Sequence, residues 1–229
     1  MVNELSRKLL HGTGIFIVLP IIYLTEVQLM QILAFLTAGV LVLHWYIDFR
    51  HIRRKRINDS VRSILETFGE RYDELSEKEY EKFEEDFFQS IKKEFLRDGE
   101  QAIFLPTIYF FSSLLFTLVF FGKGYLFFGI IALTMGDSAA ALAGKYFGRH
   151  KLFWNREKSI EGMVGFAVVT FAVTLVFLAI FPQLALFAPI KLAISTGVFG
   201  SIIESLPVLD DNFSIPLFTS LALYISTII

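Results

Sequence analysis

Apolar residues in this chain are grouped into long runs, which is the pattern of helices that cross a bilayer. Such a helix needs roughly 20 mostly apolar residues. Candidate runs occur at 12–24, 28–47, 102–121, 124–143, 162–181, 184–203 and 213–229. The pattern therefore predicts an all-α, polytopic membrane protein with about seven transmembrane helices, of which the first and last are short.

The composition agrees with this pattern and excludes several kinds of chemistry. Hydrophobic residues make up 54% of the chain, above the share in an ordinary soluble domain. Cysteine is absent, which excludes disulfides, thiolate catalysis and cysteine-based metal sites. The formal net charge is only −2 and the charges are bunched in one segment and in short loops, so we expect no nucleic-acid partner.

Lysine and arginine in the flanks of the runs predict an orientation, because positive loops stay in the cytoplasm. If the spans alternate, one side receives Arg7, Lys8, Arg50, Arg53, Arg54, Lys55, Arg56, Lys145, Arg149, Lys151, Arg156 and Lys158. The opposite connections carry a single lysine, Lys123. We therefore expect an integral membrane protein whose N-terminus and polar loops are cytoplasmic and whose C-terminus lies on the opposite side.

Residues 48–100 form the one long charged stretch, with a basic start, an acidic middle and a mixed end. Apolar residues recur there at helical spacing, for example Val61, Ile64, Leu65 and Phe68. We expect a helical cytoplasmic insertion between spans two and three, lying at the membrane interface. Because no internal repeat is evident, residues 1–229 are predicted to form a single membrane-embedded domain.

A first polar cluster precedes the first run. Glu4, Arg7, Lys8 and His11 are spaced i, i+3, i+4 and i+7, so they lie on one stripe of a helix. One such stripe could bind one phosphate group. An ordinary positively charged flank explains Arg7 and Lys8 equally well but gives His11 no role.

Carboxylates form two further clusters at the predicted cytoplasmic side. Asp137 lies several residues inside an apolar run, where an unpaired carboxylate is costly, so it should coordinate a cation or pair with a base. Glu204, Asp210, Asp211 and Asn212 lie between the last two runs. Hard oxygen ligands of this kind suit Mg²⁺, which bridges protein carboxylates and nucleotide phosphates. Solvated loop acids are the alternative interpretation for the second group.

A glycine-punctuated basic loop leads into the fifth run. Its candidate binding residues are Gly144, Lys145, Gly148, Arg149, Lys151, Lys158, Ser159, Glu161 and Gly162. Glycines let a backbone approach phosphates, cations neutralise them, and a helix N-terminus adds its dipole. The loop could hold a polyphosphate, although it lacks the Walker A spacing and basic loops at membranes often serve topology alone.

Together the clusters combine phosphate-binding cations with carboxylates for a metal and a base, at the boundary between lipid and cytosol. Phosphoryl or nucleotidyl transfer requires that combination, and the residues do not choose between the two. A transporter would use Asp137 as an ion site. Against it, the charges gather at one membrane face and no inverted repeat is visible.

The ordered motifs resemble the polyprenol and dolichol kinase family, which includes phytol kinases and CTP-dependent diacylglycerol kinases. The matching stretches are Glu4-x-x-Arg7-Lys8-x-x-His11, Lys93-Glu94-x-x-Arg97, Gly136-Asp137-x-x-Ala140-x-x-x-Gly144-x-x-x-Gly148, Lys158-Ser159-x-Glu161-Gly162, and Glu204-Ser205 leading to Asp210-Asp211-Asn212 and Pro216. The resemblance implies an all-helical membrane kinase that uses CTP and a divalent metal to phosphorylate a lipid hydroxyl. The related phosphatidate cytidylyltransferases typically have Lys-Thr-Trp-Glu-Gly where this chain has Lys-Ser-Ile-Glu-Gly, which favours the kinase.

The kinase hypothesis assigns roles to the candidate residues. Lys158 and the Gly144–Lys151 loop would hold the CTP phosphates, and Asp137 with Glu204 or Asp211 would hold Mg²⁺. Asp211 is the favoured base, and Glu161 joins the catalytic set. Asp210 is also assigned to the metal. The nucleotide is expected to contact Ser159, Gly162 and Asn212. The lipid head group or the transferring phosphate is expected to contact Arg7, Lys8 and His11. The lipid alcohol, the preference for CTP over ATP, and a homodimer stay open.

Overall fold

The structure is a computed structural model that describes residues 21–45, 82, 105–207 and 209–228. These residues are almost entirely helical and contain no strand, so the all-α prediction is confirmed for them. The chain divides into two compact units. The described residues of the first unit are 38–45, 82 and 105, and those of the second are 21–37, 106–207 and 209–228.

Seven α-helices are named here within the described ranges. They are α1 (Glu26–Trp45), α2 (Leu105–Phe121), α3 (Lys123–Ile131), α4 (Ser138–Phe147), α5 (Ile160–Ile180), α6 (Pro189–Ser205) and α7 (Asp211–Ile228). A π-helical stretch, Ala132–Asp137, joins α3 to α4 without a break, and a short 3₁₀ turn, Pro182–Leu184, follows α5.

Three helical stretches in the described part of the chain are long and apolar enough to cross a membrane. They are α1, the continuous stretch Lys123–Phe147, and α5, while α2 is apolar but shorter. The first predicted span and most of residues 48–100 lie outside the described residues. The count of seven spans, the cytoplasmic insertion and the single domain therefore stay predictions.

Helix α6 begins later than the apolar run at 184–203 suggested. Pro189 occupies its first turn, and Ala188 before it has an extended ψ of 121°. Proline favours the first helical position because it lacks an N–H, and its ring disfavours helical geometry in the preceding residue. Residues 185–188 therefore form a connection instead of the start of the helix.

Three connections and the end of α7 meet at one end of the second unit. The Lys123 ammonium donates a hydrogen bond to the Leu24 carbonyl at 3.3 Å, and Gly124 packs against Leu186. The Tyr125 hydroxyl lies 2.7 Å from the hydroxyl of Thr227. The connections before α1, before α3 and before α6 are thus neighbours of the last turn of α7.

The core near the candidate site is built on Phe166 of α5. Its fully buried ring packs with Ala132, Leu133, Ala140 and Ile215. Glycines on both sides make room for it: a Cβ at Gly136 or at Gly200 would lie 2.5 or 2.6 Å from the ring. Small residues let helix backbones approach closely, and this core brings α4, α6 and α7 together around α5.

Close packing of α5 against α6 at Gly197 yields a stability prediction. A Cβ at Gly197 would lie 2.7 Å from the carbonyl oxygen of Ala167, which as backbone cannot rotate away. We expect Gly197→Ala to destabilise the protein by about 1–3 kcal/mol through overpacking. Thermal denaturation in detergent measures it against Gly39→Ala, where a Cβ meets nothing within 4 Å. A midpoint for Gly197→Ala at or above that control would contradict the prediction.

Candidate active site

The π-helical stretch positions the first carboxylate of the site. It ends at Asp137, whose side chain is 5% exposed, within the otherwise α-helical stretch Lys123–Phe147. A π-helix contains more residues per turn than an α-helix, so it changes the direction in which the following side chains point. Such bulges are frequent at functional sites because they aim one residue without ending the helix.

Two further carboxylates come from the ends of α6 and α7. Glu204 lies in the last turn of α6 and is 2% exposed, while Asp211 is the first residue of α7 and is half-buried. One oxygen each of Asp137, Glu204 and Asp211 lie within 4.8 Å of one another. We call these three residues the carboxylate cluster.

Lys158 supplies the positive charge of the site. Its ammonium group donates a short hydrogen bond to Oε1 of Glu204 and another of 3.0 Å to Oδ2 of Asp211. Burial alone would lower the pKa of Lys158, but the negative charges of Asp211 and Glu204 outweigh burial and raise the pKa above its ordinary value. Lys158 is therefore charged at physiological pH and stabilises Glu204, whose position at a helix C-terminus is otherwise unfavourable for an anion.

A folded loop holds Lys158 in this position. Lys151 and Ser159 form an isolated antiparallel bridge, and the backbone N–H of Leu152 donates to the carbonyl of Lys158. Trp154 and Asn155 each donate a side-chain hydrogen bond to the Ser205 carbonyl, at 3.1 and 3.2 Å. Because Ser205 follows Glu204 directly, the loop is fastened next to one of the carboxylates that Lys158 contacts.

The structure does not bring Glu161 into the carboxylate cluster. Its Oε1 lies 2.6 Å from Nδ1 of His150, and both its oxygens accept hydrogen bonds from the His150 backbone N–H, at 3.2 and 3.3 Å. Glu161 thus ties the start of the loop to the first turn of α5. The contact gives it a structural role beside the site, apart from the catalytic role predicted from the sequence.

The pair Asp210 and Asn212 caps the start of α7. Oδ1 of Asp210 accepts hydrogen bonds from the backbone N–H of Asn212 at 2.9 Å and from its side-chain amide at 2.8 Å. Asp210 is exposed and is not among the three clustered carboxylates, although the sequence analysis assigned it to the metal. Its contacts are those of an N-cap, which satisfies otherwise unpaired N–H groups.

The predicted phosphate-binding glycines are used for helix packing. Ser159 is the N-cap of α5 and accepts a hydrogen bond from the Gly162 N–H at 3.1 Å. A Cβ at Gly144 would lie 3.3 Å from the Ser159 hydroxyl, one at Gly162 would lie 3.0 Å from the Ala140 carbonyl, and one at Gly148 would clash with the Gly144 carbonyl. These residues let α4 approach the start of α5.

The basic residues of the same loop are exposed. They are Lys145, Arg149 and Lys151, of which Lys151 donates a hydrogen bond to the Glu157 carbonyl at 3.2 Å. Exposed cations can attract a phosphate without a fixed contact, because electrostatic attraction acts at long range. Arg7, Lys8 and His11, the predicted head-group residues, lie outside the described residues.

The carboxylate cluster fits a small divalent cation. Mg²⁺ binds oxygens at about 2.1 Å, so opposite ligands of one ion lie roughly 4.2 Å apart. Oxygens within 4.8 Å of one another need only a small adjustment to reach that separation. Lys158 would neighbour an ion held there, because its ammonium group contacts two of the three carboxylates.

The chain is similar in sequence to several proteins that are named as kinases. The chain is 30% identical over 146 residues to the chloroplastic phytol kinase 1 of Arabidopsis thaliana, covering 58% of this chain and 48% of that protein. It is 38% identical over 96 residues to the dolichol kinase of Saccharomyces cerevisiae, covering 39% of this chain and 17% of that protein. A chloroplastic farnesol kinase of Arabidopsis thaliana is 30% identical over 100 residues, which are 41% of this chain and 33% of that protein.

These similarities cover only part of each relative. The chain spans about half the length of the phytol kinases that it matches. No family model and no solved structure matches the chain. The similarity to proteins named phytol, dolichol and farnesol kinase supports the polyprenol and phytol kinase family as the one that this chain resembles.

Proposed function

We propose that this protein is a kinase that transfers the γ-phosphoryl group of CTP to the hydroxyl group of a membrane lipid alcohol. The substrate would be of the polyprenol or dolichol, phytol or geranylgeraniol, or diacylglycerol type. The observation that carries the proposal is the meeting of Lys158 with Glu204 and Asp211 beside Asp137, in a chain rich in apolar helices. The names of the relatives support a lipid alcohol as acceptor, while CTP follows from the motif resemblance.

Phosphoryl transfer makes specific demands that these residues meet. Asp137 and Glu204 would hold Mg²⁺, which when bound neutralises phosphate charge and orients the nucleotide. Lys158 would move from the carboxylates to a phosphate oxygen, where its positive charge stabilises the charge that develops in transfer. The exposed loop cations would attract the nucleotide to the site.

Asp211 is the carboxylate best placed to act as the base. Its side chain is 34% exposed, whereas that of Glu204 is 3% exposed. A base must come within hydrogen-bond reach of the substrate hydroxyl, and the more accessible group does so with less rearrangement. Asp211 would accept the hydroxyl proton as the alcohol oxygen attacks the phosphorus atom.

The proposed setting is a seven-span membrane protein with the site at the cytoplasmic face. The site residues come from the C-terminal end of α6 and the N-terminal ends of α5 and α7, which form one end of the second unit. The connections around Lys123 and Leu186 meet at the other end with Thr227. This separation supports alternating spans, and the basic loop beside the site supports a cytoplasmic location for it.

A transfer assay tests the proposal directly. Purified protein in detergent with Mg²⁺ is given CTP labelled at either the γ- or the α-phosphate, together with a lipid alcohol (phytol, farnesol, dolichol or diacylglycerol) or a lipid phosphate. We expect lipid product that carries the γ label, with CDP released, and weaker transfer from ATP. Product carrying the α label, formed from a lipid phosphate with release of pyrophosphate, would instead indicate a cytidylyltransferase. Absence of either transfer would contradict both enzymes and favour transport.

A further inference from the structure

An apolar groove runs between α6 and α7. Its cavity volume is about 380 Å³, and nine of its ten lining side chains are apolar, the exception being Ser214. The lining residues Leu206 and Leu209 at one end of the groove are 42% and 49% exposed, and Ile225 near the end of α7 is 45% exposed, so the groove is open to its surroundings. A site with almost no hydrogen-bonding groups suits a hydrocarbon and would not compensate a nucleotide for lost water.

The groove leads to the proposed base. On α7, Asp211, Ser214 and Phe218 are spaced i, i+3 and i+7 and therefore lie on one stripe of the helix; the latter two line the groove. Asp211 therefore continues, at the start of α7, the stripe whose later residues line the groove.

We propose that this groove binds the apolar chain of the lipid alcohol and presents its hydroxyl group to Asp211. The inference rests on the proposed function and adds to it the location of the substrate chain. A polar end followed by a continuous apolar channel matches an amphiphile with one hydroxyl at the end of a long hydrocarbon. The volume lies at the lower end of the roughly 300–1,000 Å³ typical of ligand sites, so the groove holds the first part of the chain and the remainder extends into the bilayer.

Filling the groove is the sharpest test. Ala222 of α7 lines it, and Ala222→Phe places a ring in the path of the chain. We expect kcat/KM for phytol to fall by at least about tenfold, because a displaced chain moves the hydroxyl away from its reacting position. Prenol, whose single isoprene unit does not extend along the groove, should keep its kcat/KM within about twofold by the same argument.

Two further variants show whether Ala222→Phe acts by blocking the groove. They distinguish that effect from misfolding and from the effect of adding a phenylalanine to any exposed helix face. Ala179→Phe makes the same change on the exposed face of α5, outside the groove, and should leave both substrates unaffected. Leu221→Ala removes groove contacts without adding bulk and should also lower kcat/KM for phytol selectively. The proposal would be overturned if both groove variants lowered kcat/KM equally for phytol and for prenol. It would also be overturned if Ala222→Phe and Ala179→Phe lowered kcat/KM for phytol equally.

A binding readout keeps this inference distinct from the proposed function. A phytol analogue with a diazirine in its chain is photo-crosslinked to wild-type protein in detergent without nucleotide. We expect labelled peptides from α6 and α7, with labelling lost in Ala222→Phe and kept in Ala179→Phe. Labelling of other helices instead of α6 and α7 would refute the groove assignment. Groove labelling in a protein that transfers no phosphate would refute only the kinase.

Discussion

Lys158→Ala is expected to lower kcat for lipid phosphorylation by about 10²–10³-fold or more, the usual loss on removing one preorganised stabilising group. The ammonium donates hydrogen bonds to both Glu204 and Asp211. Its removal also leaves nearby negative charge uncompensated where a negatively charged nucleotide must bind. The measurement is initial rates with γ-labelled CTP over a range of nucleotide concentrations.

Lys191→Ala provides the matched control for this variant. Lys191 is an exposed lysine in the first turns of α6, whereas the site lies at the other end of that helix. The same loss of charge and side-chain length should leave kcat within about twofold, as expected for a surface position without such contacts. Wild-type activity in Lys158→Ala, with the control also active, would eliminate the proposed role of the ammonium.

Asp137→Asn is the second substitution with a large expected effect. The asparagine keeps the shape of the side chain but removes a negative charge from the carboxylate cluster, which weakens binding of a divalent cation. We expect activity to fall by about 10²-fold or more, as for removal of another group that stabilises the transition state. Excess Mg²⁺ should partly restore the rate, and titrations with Mg²⁺ and Mn²⁺ measure the shift in apparent affinity.

Asp210→Asn separates the metal assignment from a general effect of acidic residues. Asp210 caps α7 through Asn212 and lies outside the three clustered carboxylates, so this change should reduce activity far less and leave the Mg²⁺ dependence unaltered. If Asp210→Asn shifted the Mg²⁺ dependence and Asp137→Asn did not, the metal would have to be assigned to the α7 cap instead of to the carboxylate cluster.

The roles of Gly144, Gly162 and Glu161 illustrate what local pattern could not resolve. A glycine in a basic loop is compatible both with a phosphate contact and with close helix packing, and the local sequence does not show which groups lie beside it. The structure places α4 and the first turn of α5 against Gly144 and Gly162, and it places His150 against Glu161. No local signal indicated Trp154 or Asn155, because their common partner Ser205 lies about 50 residues later in the chain.

The helical character of the described chain and the identity of its central polar residues could be predicted from the order of apolar and charged residues. Long apolar runs permit little besides helices in lipid, since every backbone group must be paired internally. Asp137, Lys158, Glu204 and Asp211 could be identified because ionisable groups in or beside such runs are costly unless they are used.

Which of those residues meet, and what lies beside them, depends on how the helices pack. Lys158 contacts partners 46 and 53 residues away because Phe166 and its glycine neighbours bring α5, α6 and α7 together. The apolar groove likewise exists only where faces of α6 and α7 adjoin. Contacts of this kind depend on which face each helix turns toward its neighbours. A helix that is apolar on all sides does not reveal that face in its sequence.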